Sequence, residues 1–250
     1  MPEHLLPEII DSIIDLSRDN PEVLRNCSLV SKSWVARTQK YLFEEIEFRN
    51  SSDLEKWKTT FPDPERSLAY LARYLLVSCP RDVTAEDREE GGWILSFTNI
   101  KGLEVRDRPD EKARSWSEHS FTPFHGFSQT LENLRVDFDS AKLSEVLALA
   151  CSFPSLKDLD ISVSSLDDDI DKVGAVFTSS PEFDGTLVLN CQPSHVAHRL
   201  SGLPGGLCFR EIKWNSCYQK ERKSEGFQVL VDRCFGTLEI MNIDFGRYGK

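Results

Sequence analysis

Leu131-Glu132-Asn133-Leu134-Arg135-Val136 and Leu156-Lys157-Asp158-Leu159-Asp160-Ile161 repeat one spacing, apolar-x-x-apolar-x-apolar, 25 residues apart. The closing alternation in each is that of a strand with one buried face. Between them Leu143, Val146, Leu147 and Ala150 fall at i, i+3, i+4 and i+7, the stripe of a helix, and Phe153-Pro154 then ends it. A strand, a helix-like run and a second strand of the same pattern thus follow one another along the chain.

Working outward, the spacing recurs as Ile100-x-x-Leu103-x-Val105, Phe209-x-x-Ile212-x-Trp214 and Leu238-x-x-Met241-x-Ile243, with weaker forms at Leu75-x-Val77 and Leu187-x-Leu189. From Leu75 through Leu103, Leu134, Leu159, Leu187 and Ile212 to Met241 the steps are 28, 31, 25, 28, 25 and 29 residues. Three apolar positions match often by chance, so the even spacing and the helical text between strands carry the argument, not the number of matches. The pattern resembles a leucine-rich repeat. That resemblance implies an α/β fold, a solenoid with a curved parallel sheet and outer helices, over residues 71–250. The repeats are irregular: Asn or Cys is wanted three residues after the last apolar position, and only Cys217 stands there.

In such a solenoid the residues alternating with the buried ones line the concave face. These are Glu104, Arg106, Arg135, Asp137, Asp160, Ser162, Asn190, Lys213, Asn215, Asn242 and Asp244. Of them Glu104, Arg106, Arg135, Asp137, Asp160, Lys213 and Asn215 are the candidates for holding a client protein. A polar face of both signs suits a protein partner better than a polyanion or a lipid surface.

The N-terminal segment is different in kind. Leu6, Ile9, Ile10, Ile13 and Ile14 form one stripe of a helix, with Glu8, Asp11, Ser12 and Asp15 opposite. Asn20-Pro21-Glu22 reads as cap, first-turn proline and acidic first turn of a second helix, followed by Leu29 and Val30 as a linker. Ser31 caps a third helix with Trp34, Val35, Thr38 and Leu42 on one side, and Phe43 to Phe48 has the texture of a strand. Asn50 to Arg66 reads as a helix ending in a turn at Pro62 and Pro64. Three short helices bury little by themselves, so their apolar excess predicts an interface.

Leu6-Pro7-Glu8-Ile9-Ile10, Val23-Leu24, Leu29-Val30-Ser31-Lys32-Ser33-Trp34 and Leu42-Phe43 together resemble an F-box. The resemblance divides the chain into an F-box at 1–48, a linker helix and turn at 49–70, and irregular repeats of the fungal F-box type at 71–250. It implies docking on the Skp adaptor and, through it, on cullin and RING proteins of a ubiquitin ligase. By position in the motif Leu6, Pro7, Ile10, Leu29, Val30 and Trp34 are the adaptor-binding candidates, with Trp34 equally suited to the helical core. The function expected is a substrate-recognition adaptor leading its client to proteasomal degradation. The alternative is a non-catalytic repeat scaffold that binds the Skp adaptor without a ligase.

Composition and missing motifs narrow the rest. Thirty Lys and Arg against 41 Asp and Glu give a formal charge of −11. Residues 1–50 hold 6 basic and 9 acidic side chains, so a helix-turn-helix reading of Lys32, Arg37 and Lys40 meets phosphate with net repulsion, and no nucleic-acid partner is expected. No apolar run spans a membrane and no leader precedes the first helix, which points to the cytoplasm or nucleus. The seven scattered cysteines read as reduced thiols.

No nucleophile elbow, phosphate loop or Cys-x-x-Cys is present, and His119 and His125 read as loop residues. His195 and His198 have helical ligand spacing but no completing partner, and Asp167-Asp168-Asp169 with Asp171 lacks the order of a calcium loop. No catalytic residue, metal or cofactor is therefore expected. Arg247-Tyr248-Gly249-Lys250 follow the last repeat strand without a capping helix, which reads as an array shortened at its C-terminus.

Overall fold

The structure, a computed structural model, describes residues 6–78, 93–106, 124, 127, 129–167, 181–190, 193–204, 206–215 and 225–244. Three helices come first: α1 (Pro7–Leu16), α2 (Pro21–Val30) and α3 (Lys32–Leu42). Their starts follow local chemistry. Pro7 and Pro21 occupy first-turn positions where a missing N–H costs nothing. Asn20 Oδ1 accepts from the Val23 N–H at 3.2 Å, and Ser31 Oγ accepts from the Ser33 N–H. Leu29 and Val30, expected as a linker, form the last turn of α2; the chain breaks only at extended Ser31, which ends one helix and caps the next.

Ile14, Leu24 and Cys27 are the buried apolar side chains of this unit, and Thr38 is buried as well, its hydroxyl donating to the Trp34 and Val35 carbonyls. A polar clamp joins α1 to α3. Arg37 grips Asp15 through two parallel bonds of 2.8 and 2.6 Å and reaches Asp11 at 2.8 Å, while the Tyr41 hydroxyl donates to Asp15 at 2.7 Å. Arg37, a cation a DNA-reading helix would have needed at its surface, is committed to this clamp.

The remainder is one eight-stranded parallel sheet in chain order, each strand beside its predecessor. The strands are β1 (Glu45–Phe48), β2 (Tyr74–Val77), β3 (Gly102–Arg106), β4 (Asn133–Lys142), β5 (Asp158–Asp167), β6 (Thr186–Leu189), β7 (Glu211–Asn215) and β8 (Ile240–Asp244). Helix α4 (Ser51–Thr60) lies between β1 and β2, α5 (Leu143–Cys151) between β4 and β5, α6 (Pro193–Ser201) between β6 and β7, and α7 (Glu225–Cys234) between β7 and β8. This is a mixed α/β chain with seven helices among the described residues.

The register shows why the apolar spacing exists. Ile46, Leu75, Leu103, Leu134, Leu159, Leu187, Ile212 and Met241 are successive partners across all eight strands. Phe48, Val77, Val105, Val136, Ile161, Leu189, Trp214 and Ile243 form the next rung on the same face. The first apolar position of the pattern lies under the strand start, where Ile100, Leu131, Leu156 and Phe209 are fully buried. Before each of β2, β3, β4 and β5 a single carbonyl, of Glu44, Arg73, Lys101 and Glu132 in turn, accepts two N–H groups from the following unit. Backbone pairing is thus carried past the strand ends.

Strand β1 completes this series. Phe43-x-x-Ile46-x-Phe48 has the full spacing, 29 residues before Leu75, and the strand that the sequence placed within 1–48 is hydrogen bonded into the sheet. The two weak members are weak because the first position is filled differently: Ala72, fully buried, stands there before β2, and Phe183 sits one residue early before β6.

One continuous core lies behind the sheet, from Ile46 to Cys234, and it does not include Ile14, Leu24 or Cys27. Its N-terminal end is closed by aromatic rings: Trp57 of α4 stacks on Phe97 at 5.7 Å, and Phe48 meets Trp93 edge-on at 5.4 Å. At the other end β8 has β7 as its neighbour, and Ile240, Met241 and Ile243 are exposed.

Candidate functional site

Two surfaces stand out. The first is on α1 and α2. Leu6 is the N-cap of α1 and 62% exposed, Pro7 is exposed beside it, and Ile10 is half-buried. Leu29 and Val30 are 84% and 66% exposed, and Trp34 is half-buried on α3. Of the apolar stripe of α1, Ile14 is the residue that is buried. Ile9, Ile13 and Leu16 are exposed and continue from Leu6 at i+3, i+7 and i+10, one line along the helix. A three-helix unit has room in its core for few side chains per helix, so the remaining apolar residues face out. The signal for them was in the sequence: α1 holds more apolar residues than a stripe one helix face wide needs.

The second surface is the open face of the sheet. Its first row runs Glu45, Tyr74, Gly102, Asn133, Asp158, Thr186, Glu211 and Ile240. The second runs Glu47, Leu76, Glu104, Arg135, Asp160, Val188, Lys213 and Asn242. The third holds Arg106, Asp137, Ser162, Asn190, Asn215 and Asp244. All seven residues expected to meet a client therefore lie on this face, in the second and third rows. The first row was not read from the sequence, because it lies before the alternation that identified the strands.

The face carries both signs, with an acidic excess. The three rows contain eight carboxylates and three cations, and the neutralisation is uneven. Glu47 is well paired, to Arg106 at 2.7 Å and to Arg49 at 2.9 Å, and Arg106 also donates to Ser78 at 2.9 Å. Lys213 pairs with Glu211 at 3.0 Å. Arg135 instead stands among Glu104, Asp137 and Asp160 at 3.9, 3.7 and 3.6 Å, beyond the 2.7–2.9 Å of a charge-assisted hydrogen bond. Burial raises the Asp160 carboxyl above its ordinary value; Arg135 and the Ser162 hydroxyl oppose this, while Asp137 and Glu104 add to it. Further along, Asn215 donates to Asn190 at 2.6 Å and Asn190 to Ser162 at 2.8 Å, an amide ladder that ties β5, β6 and β7.

Across β2 to β6 the face sinks into a groove of about 390 Å3, with Tyr74, Leu76, Gly102, Glu104, Arg135, Asp160 and Val188 among its walls. Gly102 makes it possible: a Cβ at that position would collide with the ring of Tyr74. Asp158 is fixed at the rim, accepting from the Thr186 N–H at 2.6 Å.

Among the described residues no three His, Cys, Asp or Glu side chains converge as a metal site. Cys27, Cys151, Cys208 and Cys234 are free thiols, and burial pushes Cys151 and Cys234 up to about 11, which keeps them protonated at neutral pH. Cys217, His119, His125 and the side chain of His195 lie outside the described residues, as do Asp168, Asp169, Asp171 and Arg247–Lys250. No helix among the described residues is long and apolar enough to cross a membrane. No family model matches the chain, and no curated protein matches it.

Proposed function

We propose that the chain is a substrate-recognition adaptor of a Skp, cullin and F-box type ubiquitin ligase. In this reading α1 to α3 are an F-box, the sheet and its helices are an irregular leucine-rich-repeat solenoid, and the open face is its concave, client-holding side. The observation that carries it is the outward line Leu6, Ile9, Ile13 and Leu16 together with Leu29 and Val30, on a helical unit whose core is separate from that of the sheet. Solvent-facing aliphatic side chains on short rigid helices are what helix-in-groove docking needs. The open face adds a second, polar surface on a different part of the chain, as a protein joining two partners requires.

Catalysis then belongs to the RING and ubiquitin-conjugating partners, and the protein works in the cytoplasm or nucleus. The test is a pull-down of the Skp adaptor by the purified chain beside Leu6→Ala/Pro7→Ala, with circular dichroism on both. Binding by the wild type that the folded variant has lost supports the reading; a folded wild type that leaves the adaptor in solution ends it.

A further inference from the structure

The groove on the open face has its own chemistry. Strand spacing of about 4.8 Å makes the span from Tyr74 on β2 to Val188 on β6 about 19 Å, the length of about six extended residues. Tyr74 and Leu76 give it an apolar end on β2 and Val188 one on β6, and between them lie Glu104, Arg135 and Asp160, with Asp158 at the rim. One guanidinium faces three carboxylates there without a close bond to any of them. Glu47, at the same height on β1, is already satisfied by two arginines. Arg106 also approaches Glu104, at 3.8 Å, but is bonded to Glu47 at 2.7 Å, and Glu45 and Asp158 line the same groove, so carboxylates outnumber cations within it.

We propose that this groove holds an extended segment of a client protein that turns Lys or Arg toward the groove at its middle and apolar residues toward it at its two ends. The cationic side chains take Glu104 and Asp160, Arg135 turns toward Asp137, and the apolar side chains pack on Tyr74, Leu76 and Val188. Arg135 is suited to yield because its contacts of 3.6–3.9 Å are electrostatic and unlocked, and its side chain is half exposed. An arriving cation replaces part of that attraction at shorter range. It also offsets the burial that raises the Asp160 carboxyl. An acidic segment would face the same carboxylates as repulsion, so the groove discriminates by sign as well as by shape.

The inference rests on reading the open face as the client side, and its test contains no adaptor protein. A fluorescent peptide with lysines at its middle and leucines at its ends is titrated with the full chain by anisotropy, beside the same peptide with glutamate for lysine. The lysine peptide binds and weakens as salt is raised, and the glutamate peptide does not bind. Glu104→Gln and Asp160→Asn each weaken binding about fivefold, while Asp19→Asn, the same charge change at a 98% exposed site on the helical unit, leaves it unchanged. Arg135→Gln tightens it about threefold, the opposite of what a site for acidic segments would show.

Equal binding of the two peptides, no binding of the lysine peptide, or Glu104→Gln and Asp160→Asn no different from Asp19→Asn would overturn the assignment. The salt dependence is read on the wild type, so it stands even where a variant folds poorly. Failure here leaves adaptor docking untouched, and a failed adaptor pull-down leaves the groove assignment standing.

Discussion

Leu159 sits in the middle of the apolar ladder, fully buried, with Leu134 and Leu187 as its partners on either side. Leu159→Ala removes three carbon groups at about 0.8 kcal/mol each, or about 2.4 kcal/mol of transfer free energy. Packed neighbours relax only in part, and a residual cavity of about 40 Å3 at about 24 cal/mol per Å3 adds about 1 kcal/mol. The total is about 3–4 kcal/mol, near 10 °C in melting temperature for a chain of this size. Met241 belongs to the same ladder on β8 but is 45% exposed, so Met241→Ala should cost about 1 kcal/mol. Urea denaturation followed by circular dichroism measures both, provided the slope of each transition matches that of the wild type. Equal costs for the two variants, or a cost near 1 kcal/mol for Leu159→Ala, would refute the register and the enclosure of the central strands.

Arg37, first, and Tyr41 hold the Asp15 carboxyl down at about 2, below its unfolded value near 4. A lowered pKa in the folded state means that the contribution is complete above about pH 4 and is lost as pH falls toward about 2. Amide protection in α1 relative to α5 should therefore drop across that window, and Asp15→Asn should abolish the step; protection that stays constant would show that the clamp does not anchor α1. Gly102 and Gly185 separate two uses of a missing side chain. Gly102→Ala displaces the half-exposed Tyr74 ring, costing under about 1 kcal/mol of stability while weakening lysine-peptide binding. Gly185→Ala meets the Asp158 carboxylate and the Lys157 backbone carbonyl, disrupts the Asp158 bond to the Thr186 N–H, and should cost about 1–3 kcal/mol by the same denaturation assay.

Much of this architecture is written in local chemistry. The repeated apolar spacing located β2 to β8, and the residues Asn20-Pro21 and Ser31 marked helix starts, because strand alternation and capping act over a few residues. The same spacing is present at Phe43, Ile46 and Phe48, where the sequence reads as a strand but gives no sign that it joins the sheet of the repeats. Local pattern does not say which neighbour a strand will pair with. The candidate client residues were legible wherever a strand was, since side chains alternate across a sheet. Their grouping into rows was not, because rows depend on register between strands about 25 to 31 residues apart in sequence.

Sequence alone therefore determined the strands, their buried faces and the three short helices with an apolar excess. Tertiary structure decided which of the α1 residues that excess exposes, since burial depends on the neighbours that reach each helix face. It also decided that Arg135 faces three carboxylates and that Tyr74 covers Gly102. Those facts arise from side chains brought together by strand register, and no property of either partner alone contains them.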